Sequence, residues 1–415
     1  MGLLSLKALS PQIKQYLVIT GNYWAFTLTD GALRMLVVLY FHQLGYSPLN
    51  IAMLFLFYEI FGVITNLVGG WLGARLGLNK TMNIGLAIQI IALGMLVVPA
   101  EMLTVIYVMA AQALSGIAKD LNKMSAKSSI KLLVPVGAEG KLYQWVAILT
   151  GSKNALKGVG FFLGGLLLTL LEFKGAIILM ASLLAIVWVF SLIALKDDLG
   201  KATNKPKFND IFSKSSSINI LSAARMFLFG ARDVWFVVAL PVFLAVTFNW
   251  DHWWVGGFMA SWVIGYGIVQ SVAPIITGKG TREKQGNVPT GRSAFLWASY
   301  LTLIPAVIAL ALHFNFHIQA SIIIGLLIFG AVFAINSSLH SYLIVSYAGS
   351  DGVSLDVGFY YMANAMGRLI GTVLSGWVYQ NYGLEACLWI SSIFVAMATL
   401  LSLKLPKNQS KEKAN

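Results

Sequence analysis

The chain has 415 residues, of which 58% are hydrophobic and only 11% are charged, and its mean hydropathy is +0.77. A soluble domain of this length would need many more charges to cover its surface, so the composition indicates a polytopic membrane protein. The single cysteine, Cys387, excludes a disulfide framework. The sequence has neither metal-ligand spacing nor a nucleophile–base arrangement, so we expect no metal, no cofactor and no enzymatic activity.

Twelve apolar stretches are long enough to cross a bilayer, which takes roughly 20 helical residues. In chain order these predicted spans are Tyr16–Phe41, Ile51–Leu72, Met82–Val98, Met102–Asn122, Trp145–Leu171, Ala176–Leu195, Ile220–Phe243, Val255–Ile276, Phe295–Leu312, Ile318–Ile344, Val357–Val378 and Leu384–Leu403. The pattern predicts an all-α membrane protein with 12 transmembrane helices.

Basic residues are distributed very unevenly between the loops. If the N-terminus is cytoplasmic, 22 Lys and Arg residues fall in the cytoplasmic segments, and only Lys174 falls in the outer loops. Cytoplasmic loops of membrane proteins are enriched in Lys and Arg. We therefore predict a multi-pass protein of the inner (plasma) membrane with both termini in the cytoplasm. The same bias explains most of the +13 net charge, so we expect the lipid bilayer as a partner and no nucleic acid.

A polar stretch in the middle of the chain divides the predicted spans into two sets of six. It predicts an N-terminal half (1–195), a cytoplasmic linker (196–217) and a C-terminal half (218–415), an arrangement typical of transporters built from parallel repeats. Two weak sequence similarities, here called sequence echoes, join the spans that such a repeat would pair. In spans 5 and 11, Asn154-Ala155-Leu156 is similar to Asn364-Ala365-Met366. In spans 1 and 7, Gly31-Ala32 before Arg34 is similar to Gly230-Ala231 before Arg232.

Charged residues inside the spans are the most informative feature, because each costs about 2.5–3.5 kcal/mol to insert at the bilayer centre. The basic ones outnumber the acidic ones by six to three: Arg34, Lys153, Lys157, Arg225, Arg232 and Arg368 against Asp30, Glu59 and Asp233. A surplus of positive charge is poorly stable in a low dielectric without water, counterions or an anionic ligand. Arginine also binds oxyanions in a bidentate fork. The surplus therefore predicts a polyanionic small-molecule substrate.

Several of these charges have structural interpretations that remain open at this point. Asp30 and Arg34 are four residues apart and can neutralise each other on one helix face, and Arg232 can do the same with Asp233. Glu59 is either a proton carrier or a structural partner of Arg34.

Basic residues nearer the predicted membrane surface are also open to two interpretations. Lys153 either binds substrate or extends to the cytoplasmic surface. A stripe of lysines spaced by four residues either binds anionic lipid headgroups or gathers anionic substrate at a cytoplasmic entry; it consists of Lys119, Lys123, Lys127 and Lys131. We interpret His340 as a packing or interface histidine.

Two short motifs resemble signatures of the major facilitator superfamily. The run GWLGARLGLNK after span 2 resembles the loop-2/3 signature, although Ala74 replaces its acidic residue and Leu78 replaces a basic one. The run GVGFFLGG in span 5 resembles the antiporter signature, with Phe161 where a proline is common. The alternative for this second run is helix packing through Gly160 and Gly164.

Longer runs resemble one family within that superfamily, the organoarsenical-efflux permeases. These runs are VITGNYWAFTLTDGALRML (18–36), SGIAKDLNKMSAKSSIKLLVP (115–135), LTGSKNALKGVGFFLGG (149–165) and SAARMFLFGARDVWFVVALPVFL (222–244). The resemblance implies an antiporter-type secondary transporter that exports 1-arseno-3-phosphoglycerate and so confers arsenate resistance. It also implies a functional link to glyceraldehyde-3-phosphate dehydrogenase, which makes this compound when arsenate replaces phosphate.

The substrate implied by the resemblance carries a negative group at each end, which agrees with the charge surplus. We expect one set of basic residues to hold one end (Arg34, Lys153 and Lys157) and a second set, near Asn364, to hold the other (Arg225, Arg232 and Arg368). Asp30, Glu59 and Asp233 serve in proton coupling or as charge pairs, and Lys119, Lys123 and Lys127 form the cytoplasmic entry. We expect a monomer that works by alternating access.

Two alternatives are kept. One is a proton-coupled exporter of another organic anion or of a drug, although drug exporters usually place acidic residues in the cavity. The other is a non-transporting membrane sensor on the same fold, which would have a charge-poor centre.

Overall fold

The computed structural model describes residues 10–46, 54–196, 199–203, 206–207, 214–250, 252–279 and 288–406. All regular secondary structure within these ranges is helical, which confirms the all-α prediction. Ten of the 22 residues of the predicted linker 196–217 and the first residues of the second predicted span lie outside the described residues.

The helices of the first half of the chain are α1 (Pro11–Gln43), α2 (Leu56–Leu76), α3 (Leu78–Met95), α4 (Val105–Leu133) and α5 (Glu139–Ala194). Those of the second half are α6 (Ser216–Phe236), α7 (Ala239–Thr247), α8 (His252–Ile276), α9 (Gly291–His313), α10 (Ile318–Tyr347) and α11 (Val353–Ser402). Among the described residues, seven helical segments are long and apolar enough to cross a membrane.

Two of these segments are far longer than one crossing requires. At 1.5 Å per residue, α5 and α11 would be about 84 and 75 Å long if straight, against a hydrocarbon core of about 30 Å. Each contains one residue with non-helical backbone, Glu172 (φ 55°) in α5 and Gly383 (φ 77°) in α11. Each therefore supplies two of the predicted spans, joined at a tight turn. Span 7 is divided between α6 and α7, where Pro241 lies in the first turn of α7.

The chain forms two compact units. Unit 1 comprises Met1–Leu142, Leu156–Phe212 and Ala348–Gly358, and unit 2 comprises Tyr143–Ala155, Ser213–Tyr347 and Phe359–Asn415. Large apolar side chains are exposed on both units, for example Ile106 at 78% in unit 1 and Val246 at 72% in unit 2. Exposed apolar side chains of this kind are expected on helices that face lipid.

Glycine contacts bring helix backbones close together in unit 1. A Cβ on Gly31 of α1 would lie 2.8 Å from the carbonyl oxygen of Lys157 in α5, and one on Gly160 would lie 2.9 Å from that of Leu28. A Cβ on Gly164 would lie closer still to the carbonyl oxygen of Ala32. These contacts support the packing interpretation of the GVGFFLGG run.

Unit 2 repeats this contact with different residues. A Cβ on Gly230 of α6 would lie 3.2 Å from the carbonyl oxygen of Gly367 in α11, and one on Gly371 would lie 2.8 Å from that of Gly230. The weak sequence echo between Gly31-Ala32 and Gly230-Ala231 therefore corresponds to an equivalent helix–helix contact in each unit.

The turn between α2 and α3 is covered by part of the predicted linker. Ala202 N–H donates to the carbonyl of Ala74 (2.8 Å), Leu78 N–H donates to that of Leu199 (2.7 Å), and the Trp71 indole donates to that of Pro206 (3.0 Å). Ala74, which replaces the acidic residue of the loop-2/3 signature, is fully buried. Its small side chain leaves room for this close backbone approach.

Candidate functional site

In unit 1 the candidate residues gather around the aromatic ring of Tyr58 in α2. The Arg34 guanidinium carbon lies 4.5 Å from the ring centroid and the Lys119 Nζ lies 3.8 Å from it. The Tyr58 hydroxyl donates to Asp30 Oδ1 at 2.8 Å. Cation–π contacts strengthen when the groups are removed from water, and Tyr58 is only 1% exposed. The sequence interpretation missed Tyr58, because nothing in the spacing marks one tyrosine among fifteen.

Glu59 is a partner of Arg34, which was one of the two interpretations left open. Its Oε1 lies 3.2 Å from Arg34 Nη2, with side-chain exposures of 30% and 24%. Glu59 lies in the first turn of α2, not at the middle of a span as its place in the predicted stretch indicated. A negative charge there also interacts favourably with the helix dipole.

The lysine stripe lies on α4 and includes a buried carboxylate that the sequence interpretation overlooked. Asp120, 1% exposed, lies 2.6 Å from Lys123 Nζ and 3.9 Å from Lys119 Nζ. Lys127 is 4% exposed, and Lys131 donates to the carbonyl of Ala348. This part of the stripe is held by protein contacts. A signal was available, since Asp120 is three residues before Lys123 and so shares its helix face.

The two lysines of α5 have different surroundings. Lys153, in unit 2, donates from Nζ to Asn154 Oδ1 at 3.3 Å. Lys157, in unit 1, lies with its Nζ 6.0 Å from the centroid of the Phe161 ring.

In unit 2 a single carboxylate is shared by two arginines. Asp233 is fully buried, and its two oxygens take different partners. Oδ1 accepts from Arg232 Nε at 2.6 Å, and Oδ2 accepts from Arg368 Nε at 3.2 Å. The pairing of Arg232 with Asp233, which the sequence left open, is present, and the structure adds Arg368 from α11. This cluster holds two guanidinium groups and one carboxylate.

Arg225, about two helical turns before this cluster on α6, is 2% exposed. Its Nε donates to Asn364 Oδ1 at 2.9 Å and its Nη1 donates to the Ser337 carbonyl at 3.3 Å. Its guanidinium carbon lies 3.9 Å from the Phe229 ring centroid. Among the described residues no carboxylate lies within ion-pair distance of Arg225, so its charge is balanced only by dipoles and an aromatic face.

A continuous chain of hydrogen bonds joins the two asparagines that the sequence echo paired. Asn154 donates to Gln270 Oε1 at 2.6 Å, and Gln270 donates to Ser337 Oγ at 3.0 Å. Ser337 in turn accepts from Arg225 through its carbonyl oxygen, and Arg225 donates to Asn364. The chain crosses α5, α8, α10, α6 and α11 and fixes the Arg225 side chain in place.

The chemistry available in both units is anion binding through positively charged donors. Within the described ranges, no group of three or more His, Cys, Asp or Glu residues could hold a metal ion. In unit 2, Arg232 and Arg368 share the Asp233 carboxylate, and Arg225 has no carboxylate within ion-pair distance among the described residues. In unit 1, Arg34 and the α4 lysines share three carboxylates, Asp30, Glu59 and Asp120.

Comparison with known proteins identifies the fold. The profile described as "Major Facilitator Superfamily" matches residues 19–354. No curated protein sequence matches the chain. The human organic anion transporter MFSD10 (TETRAN) is similar in structure, with a TM-score of 0.73 and 16% identity over 95% of this chain and 100% of that one.

Two further solved structures have the same fold at similarly low identity. The proton:xylose symporter XylE, bound to 6-bromo-6-deoxy-D-glucose, has a TM-score of 0.73 and 13% identity, covering 97% of this chain and 98% of that one. A bacterial homologue of the iron transporter ferroportin, in an outward-facing state, has a TM-score of 0.72 and 14% identity, covering 95% and 99%. These matches confirm the predicted fold class. The chain therefore belongs to the Major Facilitator Superfamily, and it is a multi-pass membrane protein and secondary transporter of a small molecule.

Proposed function

We propose that this transporter exports an anionic organoarsenical, 1-arseno-3-phosphoglycerate, across the inner membrane and so confers arsenate resistance. The observation that carries the anionic part of the proposal is Arg225, a buried guanidinium with no carboxylate in ion-pair distance among the described residues. A buried unpaired charge is costly, and an anionic substrate would compensate it each time it bound.

The Asp233 cluster supports the same sign of charge. Two guanidinium groups share one carboxylate, so the cluster has a net positive charge while Asp233 is ionised. An exporter of cations would be expected to have the opposite excess. We propose that Arg225, Arg232 and Arg368 bind one oxyanion group of the substrate, and that Arg34, Lys153 and Lys157 bind the other.

The arsenic itself rests on the sequence resemblance. The four long runs that resemble organoarsenical-efflux permeases contain Arg34, Asp120, Lys157, Arg225 and Arg232. The proposed substrate is produced by glyceraldehyde-3-phosphate dehydrogenase when arsenate replaces phosphate, and the exported ester breaks down outside. That enzyme is therefore the proposed functional partner.

Proton exchange is the proposed energy source. Glu59 is a better proton carrier than Asp233, because its side chain is 30% exposed, whereas Asp233 is fully buried between two arginines. Collapse of the proton gradient should then stop transport in everted vesicles, and Glu59→Gln should uncouple it. Transport that continues unchanged after collapse of the gradient would rule out proton coupling.

Everted membrane vesicles test the substrate directly. The unstable ester is generated outside the vesicles by glyceraldehyde-3-phosphate dehydrogenase from glyceraldehyde-3-phosphate, arsenate and NAD+, which is reduced to NADH, and trapped arsenic is measured. We expect uptake only when the enzyme, its substrate and arsenate are all present. Uptake of arsenate alone at the same rate, or no uptake above that of vesicles lacking the transporter, would contradict the proposal. Uptake of a cationic dye instead would favour a drug exporter.

A further inference from the structure

Next to Arg225, unit 2 contains buried polar side chains with unused hydrogen-bonding capacity. His340 and Ser341 of α10 are 0% and 1% exposed, and Tyr360 of α11 is 0% exposed. Among the described residues, neither ring nitrogen of His340 has a hydrogen-bond partner, and the hydroxyls of Ser341 and Tyr360 have no partner except each other. Buried polar groups in native proteins are almost always hydrogen-bonded, so a polar ligand would find unsatisfied donors here.

These groups are neighbours. The Tyr360 ring centroid lies 5.3 Å from the Arg225 guanidinium carbon. His340 and Ser341 follow Ser337 by about one turn of α10, and the Ser337 carbonyl accepts from Arg225 Nη1 at 3.3 Å. The groups come from three different helices, α6, α10 and α11.

The chemistry of this location favours an anion. Arg225 is held by Asn364, the Ser337 carbonyl and the Phe229 ring, which use its Nε, its Nη1 and one face of the guanidinium. Within the described part of the chain, its Nη2 makes no hydrogen bond and is available to a ligand. The hydroxyls of Ser341 and Tyr360 and one N–H of neutral His340 can all donate. Several donors around a fixed positive charge, with no carboxylate, match a tetrahedral oxyanion.

We propose that Arg225, His340, Ser341 and Tyr360 form a buried subsite for a phosphate-like oxyanion. The subsite rests on the proposed function only for the identity of the molecule that carries the oxyanion. The sequence interpretation treated His340 as a packing histidine, whereas the subsite makes it a specificity-determining residue. Ser341 and Tyr360 would complete the donor set.

The test measures anion binding without transport. The full-length protein is purified in detergent, and its thermal unfolding is followed with increasing inorganic phosphate, arsenate or 3-phosphoglycerate, each against potassium chloride of equal ionic strength. We expect the oxyanions to raise the unfolding temperature and chloride to have no matching effect. A response no larger than that of chloride would overturn the subsite and indicate that only water fills it.

Variants locate the response. His340→Leu and Ser341→Ala should each weaken phosphate binding about tenfold, equivalent to about 1.4 kcal/mol, because each removes a donor to the bound oxyanion. Neither should unfold the protein, since removing an unsatisfied buried polar group is not destabilising in the absence of ligand. His313→Leu is the matched control, because His313 is exposed and pairs with Glu385. Phosphate binding that is equal in all three variants and the wild type would overturn the proposal.

An additional experiment with phospholipid distinguishes a lipid headgroup from a soluble phosphate as the ligand of the subsite. If phosphatidylglycerol micelles stabilise the protein through His340 and Ser341 whereas free phosphate and 3-phosphoglycerate do not, the subsite is not a substrate subsite. The result also separates this proposal from the proposed function. If the variants lose phosphate binding and the wild type does not transport the arseno-ester, the subsite is supported and only the proposed function fails. Transport of the ester with phosphate binding unchanged in the variants would refute the subsite alone.

Discussion

Replacing Asp233 by Asn tests the charge balance of unit 2 most sharply. The substitution keeps the shape of the side chain but removes the negative charge that Arg232 and Arg368 share. Removing one partner of a buried ion pair typically costs about 3–5 kcal/mol, because the remaining charge is left uncompensated. The side chains of Arg232 and Arg368 retain 15% and 29% exposure, so partial solvation places the expected cost near the lower end, about 3 kcal/mol.

Thermal unfolding of the purified protein in detergent measures this loss. A cost of about 3 kcal/mol corresponds to a fall of roughly 6–12 °C for a cooperative unit of 150–250 residues. The control is Glu385→Gln, which removes a carboxylate that is 37% exposed and paired with His313. Such surface pairs contribute about 0–1 kcal/mol, so its unfolding temperature should hardly change.

A second substitution separates charge from shape. In Asp233→Asn combined with Arg232→Gln, only one guanidinium of the pair remains, so part of the lost stability should return. An oxyanion such as phosphate should also stabilise Asp233→Asn more than the wild type. If Asp233→Asn and the wild type unfold at the same temperature, Asp233 does not neutralise the arginines and our charge balance for unit 2 is wrong.

Two further predictions concern the packing of each unit. Tyr58→Phe removes the hydroxyl that donates to buried Asp30 but keeps the ring between Arg34 and Lys119, so we expect a loss of about 1–3 kcal/mol; unchanged unfolding would show that this hydrogen bond contributes nothing. Gly367→Ala places a Cβ against the Met226 backbone and should prevent normal folding, measured as loss of the monodisperse peak in gel filtration. Gly376→Ala on the same helix meets no atom within 4 Å and should be neutral or stabilising.

The helices were predictable because their signal is carried by long apolar runs. Every predicted span has a helical counterpart among the described residues. The turns inside α5 and α11 could be placed only approximately, since hydropathy hardly changes at Glu172 and Gly383. The division of span 7 after Phe236 was also missed, because Pro241 is compatible with the first turn of a new helix as well as with a continuous one.

The charged residues were found, but their partners were not. The sequence offered Asp233 as one possible partner for Arg232, and it left the choice between Asp30 and Glu59 open for Arg34. It could not show that Arg368 of α11 also binds Asp233, because contacts between helices depend on packing. Asp120 lies within the predicted span 4 but was overlooked, because Lys119 and Lys123 on either side of it were assigned to the cytoplasmic stripe; the helix α4 in fact continues to Leu133.

The surroundings of Arg225 illustrate the same limit. The sequence marks it as a basic residue within a span, as it does five others. Only the structure shows that Asn364 and Ser337 hold this arginine and that the nearby His340 has no hydrogen-bond partner in the part of the chain that the structure describes. A buried histidine in an apolar run has no pattern of its own, which is why packing was the natural interpretation.

The central claim is that basic side chains within the membrane-spanning helices bind an anionic organoarsenical. Uptake of enzymatically generated arseno-ester into everted vesicles tests it most directly, using Arg34→Ala and Arg232→Ala at expression levels matched to the wild type. Arg292→Ala is the control, because Arg292 is exposed in the first turn of α9. We predict that the first two variants reduce uptake to the background of vesicles without transporter, while Arg292→Ala retains it. Uptake by Arg34→Ala and Arg232→Ala equal to that of the wild type would contradict the claim.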